Sequence, residues 1–259
     1  MELRLSGRRL VYDVIGQGVP CVLLHAFPLD RRMFLDLAQR LTSRGRFILP
    51  DLRGFGESDP GAPYSIADLA DDVAALLDEL KLERAVVGGV SMGGYVALAF
   101  AARHPRRLAG LLLADTKAAA DTAETRAARD EAATLVRTEG VAAYVDKQLP
   151  KLLAPTATPA VQDEVRLFGR QSAEGVIAGL AALRDRPDRR GELAAITCPT
   201  LVVVGTDDAV TPPAEAEAMA TAISNAVLVE IPAAGHLANL EAPLPFAQAV
   251  SGFLARTTT

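Results

Sequence analysis

Short apolar runs rich in β-branched residues alternate with stretches of helical periodicity along the first part of the chain. The runs at 2–5, 10–15, 20–24, 47–50, 84–88 and 108–115 read as strands. Val22-Leu23-Leu24 and Leu111-Leu112-Leu113 carry no polar alternation, which is the pattern of strands covered on both faces. Residues 9–18 followed by Cys21–Leu24 read as a hairpin turning through Gly16-Gln17-Gly18. The clearest helix starts at Ser65, where Ser65-Ile66-Ala67-Asp68 resembles a capping box with Asp in place of Glu. Beyond it Leu69, Val73, Leu76, Leu77 and Leu80 fall on one face and Asp71, Asp72, Asp78 and Glu79 on the other. A second helix is expected from Met92 to Arg103, ending before Pro105 because the residue preceding proline disfavours continued helix. Strands and helices in this alternation predict a mostly parallel sheet with helices on both faces.

The rhythm changes after Asp115. From Lys117 to about Arg190 no convincing strand is present; the segment is Ala-rich and dense in Arg, Asp and Glu. Helices are expected at 123–139, 141–149, 159–171 and 174–184, with Pro150, Pro155, Pro159 and Pro187 as punctuation. Strand patterns resume at 200–205 and 226–231, each followed by a helix. Neither half of the sheet looks complete alone. The pattern therefore predicts a core built from 1–116 and 191–259, with 117–190 as a helical cap inserted into it.

Composition narrows the function. The 259 residues suffice for one large core but not for two ordinary domains and a linker. A net charge of −5 argues against nucleic acid, whose phosphates call for clustered Lys and Arg. No apolar run approaches the ~20 residues of a membrane span. The N-terminal Glu2, Arg4, Arg8, Arg9 and Asp13 lack the order of a signal peptide, so a cytoplasmic location is expected. Cys21 and Cys198 read as structural thiols. Three His without a paired-ligand spacing leave little room for zinc, and neither metal nor organic cofactor is expected.

Gly89-Val90-Ser91-Met92-Gly93 is G-x-S-x-G at a predicted strand-to-helix junction. A Ser at the tip of such a turn stands clear of the sheet, and the helix N-terminus offers free N–H groups to a developing oxyanion. A nucleophilic Ser needs a base, and the base an orienting acid. His236 follows the 226–231 strand in Gly235-His236-Leu237, and Asp207 and Asp208 follow the 200–205 strand. His104 reads as a helix C-terminal residue favoured by the dipole.

These blocks, with Leu23-Leu24-His25-Ala26-Phe27-Pro28, Asp51-Leu52-Arg53-Gly54-Phe55-Gly56-Glu57-Ser58 and Ala234-Gly235-His236-Leu237-Ala238-Asn239-Leu240-Glu241-Ala242-Pro243, stand in the order of the α/β-hydrolase superfamily. The chain resembles its esterases, and among them the 3-oxoadipate enol-lactonase group. The resemblance implies an eight-stranded, mostly parallel sheet flanked by helices, with the helical cap after the sixth strand. It implies Ser91 as nucleophile, His236 as base and acid, and Asp208, over Asp207, as the orienting carboxylate. It implies an oxyanion hole from the N–H groups of Met92 and Phe27. Ala26 departs from the glycine usual in that loop, and His25, Asp51 and Arg53 are expected to support loops. The implied partner is a small ester or lactone, cleaved through an acyl-enzyme. A Ser-dependent C–C bond hydrolase, a perhydrolase and a non-catalytic small-molecule receptor share the motif. A lactone bearing a free carboxylate calls for a cation in the pocket, for which Lys117, Arg126 and Arg129 are the candidates.

Overall fold

The computed structural model describes residues 1–5, 7–61 and 63–257. In chain order the elements are β1 (Glu2–Leu5), β2 (Arg8–Ile15), β3 (Val19–Leu24), α1 (Leu35–Arg40), β4 (Gly45–Pro50), α2 (Ile66–Glu79), β5 (Ala85–Val90), α3 (Met92–Arg103) and β6 (Leu108–Ala114). Then come α4 (Ala123–Leu152), α5 (Pro159–Phe168), α6 (Ala173–Arg184), β7 (Thr200–Gly205), α7 (Pro213–Ala222), β8 (Ala226–Ile231), α8 (Ala238–Glu241) and α9 (Pro243–Leu254). Among the described residues eight strands form one sheet in the order β1-β2-β4-β3-β5-β6-β7-β8. From β4 to β8 every neighbouring pair is parallel, whereas β2 runs antiparallel to both β1 and β4.

The expected hairpin between β2 and β3 does not form, because β4 lies between them. Apolar β3 is buried on both faces and takes parallel neighbours on either side, β4 and β5. The glycines read as a hairpin turn instead let the connection lie on the start of β4. A Cβ on Gly16 would fall 2.4 Å from the Gly45 carbonyl oxygen, and Gln17 N–H donates to Thr42 O at 2.7 Å.

Successive residues of each strand face opposite sides of the sheet. Val22, Leu24, Val87, Leu111 and Leu113 join Leu69, Val73, Val96 and Phe100 of α2 and α3 in one apolar layer. Cys21, Leu23, Val86 and Leu112 join Leu37 of α1 and Phe246, Val250 and Phe253 of α9 in the other. The Ser65 capping box is present: Ser65 Oγ accepts from Asp68 N–H and the Asp68 carboxylate accepts from Ser65 N–H. Helix α3 ends at Arg103, ahead of Pro105.

Helices α4 to α6 stand between β6 and β7 and pack over the loops at the carboxyl ends of the strands. Helix α4 is broken at Gly140, whose φ of 88° ends one helical run and begins another. Tyr144, Val176 and Leu180 enter the α2–α3 layer, while Leu149, Leu152 and Val165 enter the α1–α9 layer. The closest seam is at Gly175, in the first turn of α6, where an added Cβ would lie 1.9 Å from the Gly54 carbonyl oxygen.

Gly175→Ala is therefore expected to lower stability by about 1–3 kcal/mol through overpacking. Gly252→Ala, on α9 with nothing within 4 Å of its Cβ position, should raise it by about 0.5–1 kcal/mol, the helix-propensity difference. Urea denaturation of the two variants against the native chain checks both signs.

Candidate active site

The strand β5 hands over to α3 through Ser91 alone, which takes φ 54° and ψ −112°. A non-glycine residue there is strained by roughly 1–3 kcal/mol and persists only where its surroundings over-determine it. They do. Ser91 N–H donates to Ala114 O at 3.0 Å, and the Thr116 hydroxyl donates to Ser91 O at 2.9 Å. The flanking glycines permit the turn's tight approach to β3. A Cβ on Gly89 or Gly93 would stand 2.3 Å or 1.9 Å from the Leu24 carbonyl oxygen.

The loops after β7 and β8 bring Asp208 and His236 to this turn. The Ser91 hydroxyl lies 2.8 Å from His236 Nε2, and His236 Nδ1 lies 2.8 Å from Asp208 Oδ2. With Asp208 ionised, Nδ1–H donates to the carboxylate and Nε2 is left as the acceptor facing the hydroxyl. All three are buried, His236 at 1% exposure. Asp208 also accepts from the N–H groups of Val210 and Thr211 and, at 2.7 Å, from the Thr211 hydroxyl. Burial pushes the Asp208 carboxyl up. The bonds and charge from His236, with those from Thr211, outweigh it and hold the group below the ordinary carboxylate range. Asp207 is exposed, and its Oδ1 meets only the Thr206 hydroxyl.

Phe27 N–H and Met92 N–H donate to no acceptor among the described residues. Met92 is the first residue of α3, so its N–H is one of the donors a helix leaves unpaired. Ala26 is not among the described non-glycine residues with positive φ, so this loop makes no demand for glycine. His25 ties the loop down: Nδ1–H donates to Ala26 O and Nε2 accepts from Leu52 N–H, each at 3.0 Å. Burial lowers its pKa, in keeping with a neutral ring. Asp51 accepts from the N–H groups of Arg31 and Glu57, and Arg53 pairs with Asp72. These side chains brace the 51–58 loop. The Phe27 ring meets Phe55 and Tyr144 edge-on, with centroids 5.8 Å and 6.1 Å away.

The three candidate cations separate. Arg126 is half exposed and turned to Arg184 O and Asp185. Lys117 borders a crevice of only about 10 Å³ with Tyr95 and Arg186. Arg129 turns inward, 3.2 Å from the buried Asp121. Burial pushes the Tyr95 and Tyr144 hydroxyls up, Tyr144 to about 12, and the Arg129 charge opposes the rise at both. At Tyr95 the larger opposing charge is that of Arg186, whose guanidinium lies 4.2 Å from the ring centroid. Clefts of about 610 Å³ beside Leu149 and Arg166 and about 520 Å³ beside Leu98 and Glu192 border none of Ser91, Asp208 or His236.

Two supporting residues escape a reading of the sequence. Thr211, three residues after Asp208, lies at the spacing of a local side-chain-to-backbone turn, which is the one signal available beforehand. Glu241 accepts from Gly235 N–H at 2.9 Å and from Ala154 N–H at 2.7 Å, joining the His236 loop to the end of α4. No sequence spacing announces that contact. Among the described residues no cluster of His, Cys, Asp and Glu is suited to a metal ion, and no helix is long and apolar enough to cross a membrane.

With this fold and this relay, the chain's kinship is plain. The alpha/beta hydrolase family model matches residues 21–249, and the chain belongs to that family. It is similar to a thermophilic esterase from Thermogutta terrifontis, solved with malate bound, at 41% identity and a TM-score of 0.94, covering 97% of this chain and 95% of that one. The enol-lactonase from Burkholderia xenovorans LB400 shares 33% identity at a TM-score of 0.91, covering 99% and 100%. The AB hydrolase superfamily protein YisY of Bacillus subtilis is 35% identical over 242 residues, 88% of each chain. This kinship supports an ester hydrolase.

Thr211→Val removes one charge-assisted bond from Asp208 and is expected to cost about 1–3 kcal/mol near neutral pH. Because Asp208 is held low in the folded state, that stabilisation is complete above the ordinary carboxylate range and disappears as pH falls through the depressed folded value. Urea titrations of both proteins from about pH 7 to about pH 3 should show the penalty shrinking with acid; a penalty that grows would contradict the assignment.

Proposed function

We propose that the protein is a serine-dependent hydrolase of carboxylic esters or lactones, with Ser91 as nucleophile, His236 as general base and acid, and Asp208 as the carboxylate that orients it. The observation that carries this reading is the unbroken relay, two contacts of 2.8 Å, ending on a Ser in left-handed backbone followed directly by the unengaged Met92 N–H. Ser91 Oγ attacks the carbonyl carbon while its proton passes to His236 Nε2. Met92 and Phe27 N–H groups stabilise the oxyanion, each donor worth on the order of 10²–10³ in rate. Collapse breaks the carbonyl–oxygen bond, and His236 gives its proton to the departing oxygen. In a lactone that oxygen stays attached through the opened ring. Water then attacks the acyl-enzyme, its proton taken by His236, and the tetrahedral species expels Ser91, which recovers that proton.

Within this reading Arg129 favours substrates that carry a free carboxylate. Its charge opposes the rise of the Tyr95 and Tyr144 hydroxyls, and its Nε bond to Asp121 leaves other guanidinium donors for a second anion. The malate bound to the related T. terrifontis esterase fits the same preference. Helices α4 to α6 act as the cap that supplies this charge.

Release of p-nitrophenol from acetate through octanoate esters should be readily measured and should fall at least about 10⁴-fold in Ser91→Ala. Turnover untouched by that substitution removes Ser91 from the chemistry. Micromolar retention of a ligand without turnover would replace the enzyme reading with a receptor.

Arg129→Gln is expected to raise KM for a carboxylate-bearing lactone by roughly tenfold, the value of one charged hydrogen bond, and to leave KM for p-nitrophenyl acetate unchanged. Equal effects on the two substrates would deprive Arg129 of a role in specificity.

A further inference from the structure

The carboxyl end of β6 contributes no group to the relay, yet three of the loops that carry it are fastened there. Ala114 and Thr116 hold the Ser91 peptide from both sides. Between them Asp115 is wholly buried and takes φ 45°, left-handed backbone that a non-glycine residue rarely adopts. Its own N–H donates to Val203 O at 2.9 Å. Its carboxylate reaches across the sheet edge. Oδ1 accepts from Gly205 N–H at 2.9 Å, at the root of the Asp208 loop, and Oδ2 accepts from Ala238 N–H at 3.3 Å, two residues after His236.

A fully buried acid is costly unless each oxygen is satisfied by well-placed donors. An apolar residue would fill the space without that cost, so packing alone gives no reason for a carboxylate here. What an Asp supplies is two acceptor atoms a fixed distance apart, able to set one loop against another. Burial and the nearby Asp208 charge push the Asp115 carboxyl well up, and only the Gly205 and Ala238 N–H groups oppose this.

We infer that Asp115 is a positioning residue for the hydrolytic relay, fixing the Asp208 loop and the His236 loop in register with each other and, through Ala114 and Thr116, with Ser91. The inference rests on the triad reading above. It assigns Asp115 no contact with substrate: it acts by keeping His236 Nε2 on the line to Ser91 Oγ. A displacement of about 1 Å at reacting groups can cost on the order of 100-fold in rate.

The test uses a fluorophosphonate probe, which labels an activated serine, together with steady-state turnover of p-nitrophenyl acetate. Native chain and Ser91→Ala establish first whether Ser91 is the labelled residue. Asp115→Ala is expected to label to the same final stoichiometry as the native chain. Its labelling rate and kcat should fall together by about 10- to 100-fold, with KM within about twofold. Asp115→Asn retains one acceptor of the two and should fall between them; should Asp115→Ala not fold, it carries the test alone. A merely structural role gives the opposite pattern, with fewer titratable sites and native kcat at each, and overturns the inference, as does native kcat at full stoichiometry. A native chain that the probe does not label at Ser91 overturns the hydrolase reading, and the inference with it.

Discussion

The backbone of the Ser91 turn lies against the Leu24 carbonyl at a distance that admits no Cβ at Gly89 or Gly93. Much else follows from that approach. It brings the start of α3 against the exit of β3, the strand that leads on to Phe27. It leaves Ser91 in left-handed backbone, with its hydroxyl clear of the sheet. Because β3, β5, β6, β7 and β8 run parallel, every loop that leaves a carboxyl end arrives at this same edge. Sheet and turn together make a meeting place for groups that no stretch of sequence holds together.

Much of this was legible beforehand. Continuous apolar runs marked the buried strands, and the glycines around Ser91 marked the turn. Ser91, Asp208 and His236 stood in the expected order, and the structure brings them within hydrogen-bond reach in a chain of two contacts. What escaped was pairing. Periodicity says that β2 and β3 are strands but not that β4 separates them, since the partner of a strand is chosen by what must cover it. Asp115 and Glu241 escaped for a related reason. Asp115 contacts Gly205 and Ala238 at separations of 90 and 123 residues, and no local spacing encodes an acceptor whose donors lie that far off.

The helices between β6 and β7 divide their work along their length. The run before Gly140 carries Arg129 against Asp121, and the run after it carries Tyr144 against Phe27, so the ion pair and the apolar contact lie on separate rods. The break lets each run take its own direction, where one straight helix would tie the two contributions to a single axis. Their support from below comes from the braced 25–30 and 51–58 loops, where His25 and Asp51 spend their polar atoms on backbone and neighbouring side chains.

The Glu241 carboxylate has a consequence for how this architecture can be remodelled. One oxygen holds Gly235 beside His236 and the other holds Ala154 at the foot of α4, and His236 N–H donates to Leu152 O at 3.0 Å, so the two segments are tied twice over. A foreign helical module spliced in after residue 117 would have to leave Asp115 and Thr116 in place, with their bonds to Gly205, Ala238 and Ser91. The end of its first helix is equally bound. A replacement must return a backbone N–H to the place of Ala154 and a carbonyl to that of Leu152, or the histidine loop loses these ties to the insertion. The insertion can therefore be exchanged only between two fixed points, the anchored exit of β6 and the segment beneath the last turns of its first helix.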